Sequence, residues 1–194
     1  MKEITKESIL ELPLIQFDGQ IIVIDNERDI PEAVAKLSKE TVLGFDTEKK
    51  PTFKKGEYNY VSLLQLSTHD EAYLFQLSQT GLHRSLKLLM EDINILKLGV
   101  AIRDDLIDLQ KLSHFDPDGF LDLGIKAKEL EIPHHGLRKL AAFLLDSRLS
   151  KAQQTSNWEN HPLTEAQQLY AATDAWVALK IYDEMKKLNP SKID

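Results

Sequence analysis

The sequence predicts an α/β fold, a mixed sheet with helices on both faces. Three observations carry that expectation. Three short apolar segments, 41–48, 60–67 and 71–77, follow one another closely enough for an antiparallel meander. Strand and helix patterns then alternate through 95–101, 103–112 and 120–123, the order expected of parallel strands joined by helices. The last third is mostly helical and closes on a long periodic segment, 164–188.

Each element has a local reason. Residues 1–18 read as a short helix and a docking segment, with Leu12, Leu14, Ile15 and Phe17 as apolar anchors. Residues 20–25 (QIIVID) read as a strand, and 31–39 as a helix with Pro31 in its first turn, where a missing N–H is harmless. His69-Asp70 supplies the turn between the last two meander strands. Helical spacing recurs at 82–92 and 103–112, again from the strand at 120–123 through Leu130, and at 136–145. The final helix opens with Thr164-Glu165-Ala166-Gln167, the form of a capping box, and Pro162 prevents an earlier start. No repeat, low-complexity tract or Gly/Ser linker divides the 194 residues, so the expectation is one domain over 1–194 with 1–18 as an extension.

Composition narrows the function classes. Hydrophobic content of 42% and charged content of 28% suit a soluble globular chain. The absence of cysteine excludes disulfides, thiolate metal sites and cysteine nucleophiles. The first residues lack the apolar core of a signal peptide and no apolar run is long enough to span a bilayer, so a cytoplasmic location without membrane contact is expected. A net charge of -7 argues against a nonspecific basic coat for nucleic acid, yet it suits an acidic site neutralised by divalent cations. Two patches oppose that average: Lys49, Lys50, Lys54 and Lys55 around Glu57, and Arg138, Lys139, Arg148 and Lys151 around Asp146.

The acids form a pattern. Asp46 and Glu48 end an apolar strand and, with a period of two, point to one side. Two adjacent carboxylates repel unless protonated or bridged by a cation, and a hard divalent metal is a natural counter-ion. Alone, such a pair is common by chance and mostly means solvated surface. On the 103–112 helix, Asp105 shares a face with Ile102, Leu109 and Leu112, whereas Asp104 and Asp108 fall on a polar stripe expected to face outward. Asp105 alone reads either as a helix N-terminal carboxylate or as a metal ligand. On the last helix, Ala166, Tyr170, Asp174, Val177 and Ile181 form one inward stripe, with Tyr170 and Asp174 a single turn apart. Inward acids from three separate segments supply oxygen ligands for Mg²⁺ or Mn²⁺, and two such ions can drive phosphodiester hydrolysis.

These residues carry a resemblance. The runs Leu43-Gly44-Phe45-Asp46-Thr47-Glu48, Lys97-Leu98-Gly99-Val100-Ala101-Ile102-Arg103-Asp104-Asp105 and Leu169-Tyr170-Ala171-Ala172-Thr173-Asp174-Ala175 stand in order, the last preceded by Ser156-Asn157-Trp158 and Pro162-Leu163-Thr164-Glu165. Over about residues 12 to 188 the chain resembles the DEDDy branch of the DEDD superfamily of 3′–5′ exonucleases, most of all the Werner syndrome exonuclease domain and more distantly ribonuclease D. The resemblance implies a ribonuclease H-like fold and metal-dependent release of 5′-mononucleotides from a 3′ end. It implies that Asp46, Glu48 and Asp174 hold one cation, that Asp46 reaches a second supported by Asp105, and that Tyr170 orients the attacking water. The sister branch has histidine where Leu169 stands. His134 and His135 are expected at a helix entry or the surface.

Substrate contacts follow less directly. Lys49 and Lys50 stand where relatives often carry tryptophan, so the cationic stretch 49–55, with Lys54, is expected to be flexible and to touch the substrate backbone. Leu63 or Gln65 could line a pocket for the terminal base, although core packing suits them as well. Trp158 could stack on a base or pack under the final helix. Arg138, Lys139 and Lys151 are candidate phosphate contacts. The leading expectation is an exonuclease acting on nucleic acid with a free 3′ end, DNA first and RNA as well. The alternatives are a ribonuclease D-like exoribonuclease and an inactive nucleic-acid-binding module. A helicase or repair partner would be a separate chain.

Overall fold

The computed structural model describes residues 4–54 and 56–188, so Lys55 of the first basic patch lies outside the described residues. Six strands form one sheet: β1 (Gln20–Ile24), β2 (Val42–Lys49), β3 (Val61–Ser67), β4 (Glu71–Phe75), β5 (Leu96–Gly99) and β6 (Phe120–Asp122), in the order β1-β4-β3-β2-β5-β6. The expected meander is present, with β2 antiparallel to β3 and β3 antiparallel to β4. Beyond β2 the sheet continues in parallel through β5 and β6. At the opposite edge β1 lies parallel to β4.

The helices are α1 (Lys6–Leu10), α2 (Ile30–Leu37), α3 (Leu77–Thr80), α4 (Arg84–Glu91), α5 (Arg103–Leu112), α6 (Leu123–Glu129), α7 (Leu137–Leu144) and α8 (Glu165–Leu188). One core joins Leu43, Phe45 and Leu66 of the sheet to Ile30 and Leu37 of α2, Leu86 and Met90 of α4 and Leu109 of α5. A second, on the other face, joins Leu98 to α6, α7 and α8. The mixed sheet with helices on both faces therefore agrees with the expected class. Sandwiched between these layers, every residue of β3 is buried, the polar Ser62, Gln65 and Ser67 included. Among the described residues no helix is long and apolar enough to cross a membrane.

α8 begins as its sequence signals. Thr164 Oγ1 accepts from the Gln167 N–H at 3.2 Å, and Gln167 Oε1 accepts from the Thr164 N–H at 3.1 Å. The narrow inward stripe does not hold. Ala166 is exposed, whereas from Tyr170 to Tyr182 only Asp174 and Lys180 escape full burial. The helix is wrapped on several sides by the sheet, by α6 and α7 and by the N-terminal segment. That segment docks chiefly through its backbone. The Phe17 N–H donates to Thr173 Oγ1 at 3.1 Å, and around Leu14 the Ile15 N–H donates to the Arg148 carbonyl while the Arg148 N–H donates to the Pro13 carbonyl. Phe17 is a buried anchor set edge-on to Trp176, but Leu14 is exposed, so its side chain anchors nothing.

α8 approaches the sheet tightly at Gly44. A Cβ there would lie 2.1 Å from the Ala175 carbonyl oxygen, so only glycine lets β2 and α8 meet at this distance. Gly44→Ala is expected to cost about 3 kcal/mol or more, the upper range for overpacking against backbone. Gly136→Ala, whose new Cβ meets nothing within 4 Å, should cost less than about 1 kcal/mol. Urea unfolding of both variants checks the contrast.

Candidate active site

The Gly44 contact brings the end of β2 against the middle of α8. Asp46 and Glu48 share Gly44's face of β2 by strand alternation. Asp174 is the neighbour of Ala175. Ligand oxygens of Asp46, Glu48 and Asp174 all lie within 4.8 Å of one another, and all three residues are partly buried. Asp105 stands just outside that triad, on the first turn of α5. Thr47, pointing to the other face of β2, donates its hydroxyl to the Asp105 carboxylate. The turn feeding α5 is itself held: Ala101 adopts φ 61°, and the Ile102 N–H donates to Asp122 at 3.2 Å. Asp122 also caps α6 through the Gly124 N–H at 2.8 Å.

Burial raises the proton affinity of every acid in the site, and neighbouring carboxylates add to it for Asp46 and Glu48. Burial, Asp46, Asp174 and Asp105 push Glu48 up to about 10. Burial, Asp174 and Asp105 carry Asp46 well above the carboxylate range, against the pull of the Thr47 N–H. Burial raises Asp174 to about 6, opposed by the Tyr170 hydrogen bond and the Arg138 charge. Asp105 is raised by burial and opposed by Thr47 and Lys49. Carboxylates crowded together without compensating cations form an oxygen-only site of the kind that hard divalent ions occupy. The donor set therefore fits such a cation, with Asp46, Glu48 and Asp174 as its holders.

Tyr170 stands over the cluster, one turn before Asp174. Burial, then the charges of Asp174 and Glu48, push its phenol well above its usual value, so it stays protonated. Its ring rests against Trp158 at 5.9 Å, with Leu63 and Leu163 in the same cluster. Trp158 is fully buried and faces no groove, so its place is beneath Tyr170 and not against a base. Leu63 and Gln65 are also fully buried, as cross-strand neighbours of Glu48 and Asp46. They underlie the carboxylates, and neither reaches the cavity wall.

That cavity, of about 490 Å³, is walled by the acids, Thr47, Tyr170, residues 49–52 and 57–59, and Gln154. The cationic segment is not free as expected. The Lys49 ammonium sits 2.6 Å from Asp108, Lys50 is 2.9 Å from Glu159, and the Asn59 amide donates to the Lys50 carbonyl at 2.9 Å. Lys54 is 82% exposed and 3.6 Å from Glu57. Asp108 likewise departs from expectation: it is buried, and the outward polar stripe is covered by β2 and by Tyr58, whose hydroxyl donates to Asp108 at 3.0 Å. Asp104 is exposed as expected. Arg138 is half-buried, donates to the Ser150 carbonyl at 3.3 Å, and its charge reaches Tyr170 and Asp174. Lys139 and Lys151 are exposed. His134 packs edge-on against Phe143, away from the acids. Thr47, Asp108, Tyr58, Asn59 and Gln154 had escaped sequence reasoning. Only the Asp108–Lys111 spacing hinted at a pairing, and it said nothing of Lys49, 59 positions away.

Comparison with known proteins gives the site its family. The family model for the 3′-5′ exonuclease matches residues 21–189. The chain belongs to the 3′-5′ exonuclease family. It is 35% identical over 199 residues to the bifunctional 3′-5′ exonuclease/ATP-dependent helicase WRN of Mus musculus, covering 96% of this chain and 14% of that protein. It is 30% identical to the exonuclease mut-7 homolog of Aedes aegypti, covering 91% of this chain and 28% of that one. The chain thus spans less than a third of either relative. Among solved structures, the Aedes aegypti Nibbler EXO domain superposes with TM-score 0.79 at 29% identity, over 87% of this chain and 88% of that one. Escherichia coli RNase D shares the fold, with TM-score 0.74 at 24% identity over 91% of this chain and 48% of that one. The ribonuclease H-like class expected from the motifs agrees with these neighbours.

The proton affinities predict how the cation-free protein responds to pH. An acid whose folded pKa exceeds its unfolded value keeps a proton that the unfolded chain has lost. Stability is therefore full below the ordinary value, 4.5 for Glu48 and 3.8 for Asp174, and is lost as pH rises through about 10 and about 6 respectively. In EDTA the melting temperature should fall from pH 5 to pH 9, and Asp46→Asn should raise it at pH 8 by relieving repulsion. Thermal melts with and without Mg²⁺ check both, and Mg²⁺ should stabilise the wild type more than the variant.

Proposed function

We propose that this protein is a DEDDy-type 3′–5′ exonuclease that removes mononucleotides from nucleic acid with the aid of two divalent cations, Mg²⁺ or Mn²⁺. The convergence of Asp46, Glu48 and Asp174 within 4.8 Å, with Tyr170 over them, carries this reading. Asp46, Glu48 and Asp174 would hold one ion. Asp46 would also reach a second, supported by Asp105. When bound, the ions supply Lewis-acid activation of water and stabilisation of the leaving oxygen.

The chain's own groups do the rest. Tyr170 is a poor base, because burial and two neighbouring carboxylates keep its proton in place. Its role is to aim the attacking water by hydrogen bonding, with Trp158 fixing the ring from beneath. Asp174 accepts the Tyr170 hydrogen bond and so sets the phenol's direction. Arg138 is the cation placed to meet a phosphate beside these groups, with exposed Lys54, Lys139 and Lys151 as secondary contacts. Lys49 and Lys50 are engaged by Asp108 and Glu159, and Leu63, Gln65 and Trp158 are buried, so these five are not assigned to substrate.

DNA is the first substrate proposed, since the 35% identity to the WRN relative exceeds the 26% to the Saccharomyces cerevisiae exosome complex exonuclease RRP6. RNA is the second, because the fold is also that of Escherichia coli RNase D, described as an exoribonuclease involved in structured RNA processing.

Digestion of matched 3′-labelled and 5′-labelled DNA and RNA separates these readings. Mononucleotides should leave the 3′ end with Mg²⁺ or Mn²⁺, and none should appear in EDTA or with Asp46→Ala. Tyr170→Phe should lower kcat about a hundredfold with KM changed less than about twofold. Mononucleotide release in EDTA would contradict the metal-dependent reading, and an inert wild type would favour a binding module.

A further inference from the structure

β2 and α5 are joined by two rungs. Thr47 and Lys49 project from the same face of β2, and each meets a different carboxylate of α5: Thr47 binds Asp105, and Lys49 binds Asp108 one helical turn later. Two residues of strand advance about 6.6 Å and three of helix about 4.5 Å, close enough for both rungs to form together.

The second rung has an unusual charge balance. Asp108 is 8% exposed and takes three donors: Lys49 at 2.6 Å, Lys111 at 2.8 Å and the Tyr58 hydroxyl at 3.0 Å. Lys111 also lies 4.2 Å over the Tyr58 ring. Two ammonium groups and a phenol thus surround one carboxylate. Burial alone would raise Asp108, but hydrogen bonds from Lys111, Lys49 and Tyr58 outweigh it and hold the group at about 2.

Lys49 directly follows Glu48 on the strand. Its flexible four-carbon stem brings two acids within its range, Asp108 and Asp105, which lie on adjacent turns of one helix face. Its charge already acts on Asp105. A lysine that settled on Asp105 would occupy the oxygens that a divalent cation needs. The neighbouring carboxylate, preorganised by Lys111 and Tyr58, removes that competitor.

We propose that Asp108 is a positioning residue that holds the Lys49 ammonium away from Asp105, leaving Asp105 open to a divalent cation. This rests on the reading of Asp105 as part of the cation site. It differs from a scaffolding role in one respect: the harm of losing Asp108 comes from Lys49, so removing the lysine as well should undo it.

Mn²⁺ binding by isothermal titration calorimetry, without substrate, tests the proposal on wild type, Asp105→Asn, Asp108→Asn and the double variant Asp108→Asn with Lys49→Met. Asparagine preserves the size of the side chain and its contact with Tyr58, and circular dichroism confirms folding. The Mn²⁺ affinity that Asp105→Asn weakens should fall about tenfold in Asp108→Asn, the usual effect of an outer partner of a metal ligand, and return to within about twofold of wild type in the double variant. Unchanged affinity in Asp108→Asn would overturn the proposal. So would a double variant as weak as Asp108→Asn, which would mark Asp108 as scaffold alone. Failure of the underlying reading looks different: wild type would bind no Mn²⁺, or Asp105→Asn would bind it as wild type does.

Discussion

A strand and a helix meet backbone to backbone at Gly44, and the rest of the site depends on that contact. The space for it exists because residue 44 has no side chain and because α8 presents Ala171, Ala172, Ala175 and Ala178, all fully buried. With α8 seated there, Asp174 lies beside Asp46 and Glu48, and Tyr170 follows one turn away. Small residues at the interface therefore determine the distance between acids that are 128 positions apart in sequence, from Asp46 to Asp174. The N-terminal segment secures the same helix from behind, through the Phe17 N–H on Thr173.

The seated helix forces like charges together. Burial raises the proton affinity of all four acids, and repulsion from the neighbouring carboxylates adds to it for Asp46 and for Glu48, which reaches about 10. Such a cluster is a local conflict in an otherwise consistent fold, and conflicts of this kind concentrate at functional sites. The same acids that oppose folding without cations are those that would gain most from binding them. Tyr170 fits this account because it adds a hydrogen-bond donor to the cluster without adding charge.

Much of this was legible in the sequence because it rests on local pattern. The meander, the strand–helix alternation and the capping box at Thr164 are short-range signals, and each has its structural counterpart. Asp105 could be separated from exposed Asp104 by helical spacing. The same reasoning misplaced Asp108, because a polar stripe predicts solvent only where nothing else covers it, and here β2 and Tyr58 do. It also treated 49–55 as a loose cationic stretch, although Asp108 and Glu159 engage its first two lysines. Pairings across 59 and 109 positions leave no periodic trace. α8 misled in the opposite sense: burial on several sides erases the amphipathic contrast from which an inward stripe is read.

The central claim is that Asp46, Glu48 and Asp174 converge to hold a divalent cation. Anomalous diffraction from a crystal equilibrated with Mn²⁺ tests it most directly. The account predicts a strong anomalous peak within coordination distance of all three carboxylates, with Asp105 facing it from α5. A map with ordered carboxylates and no peak among them, or with manganese bound only elsewhere, would contradict it.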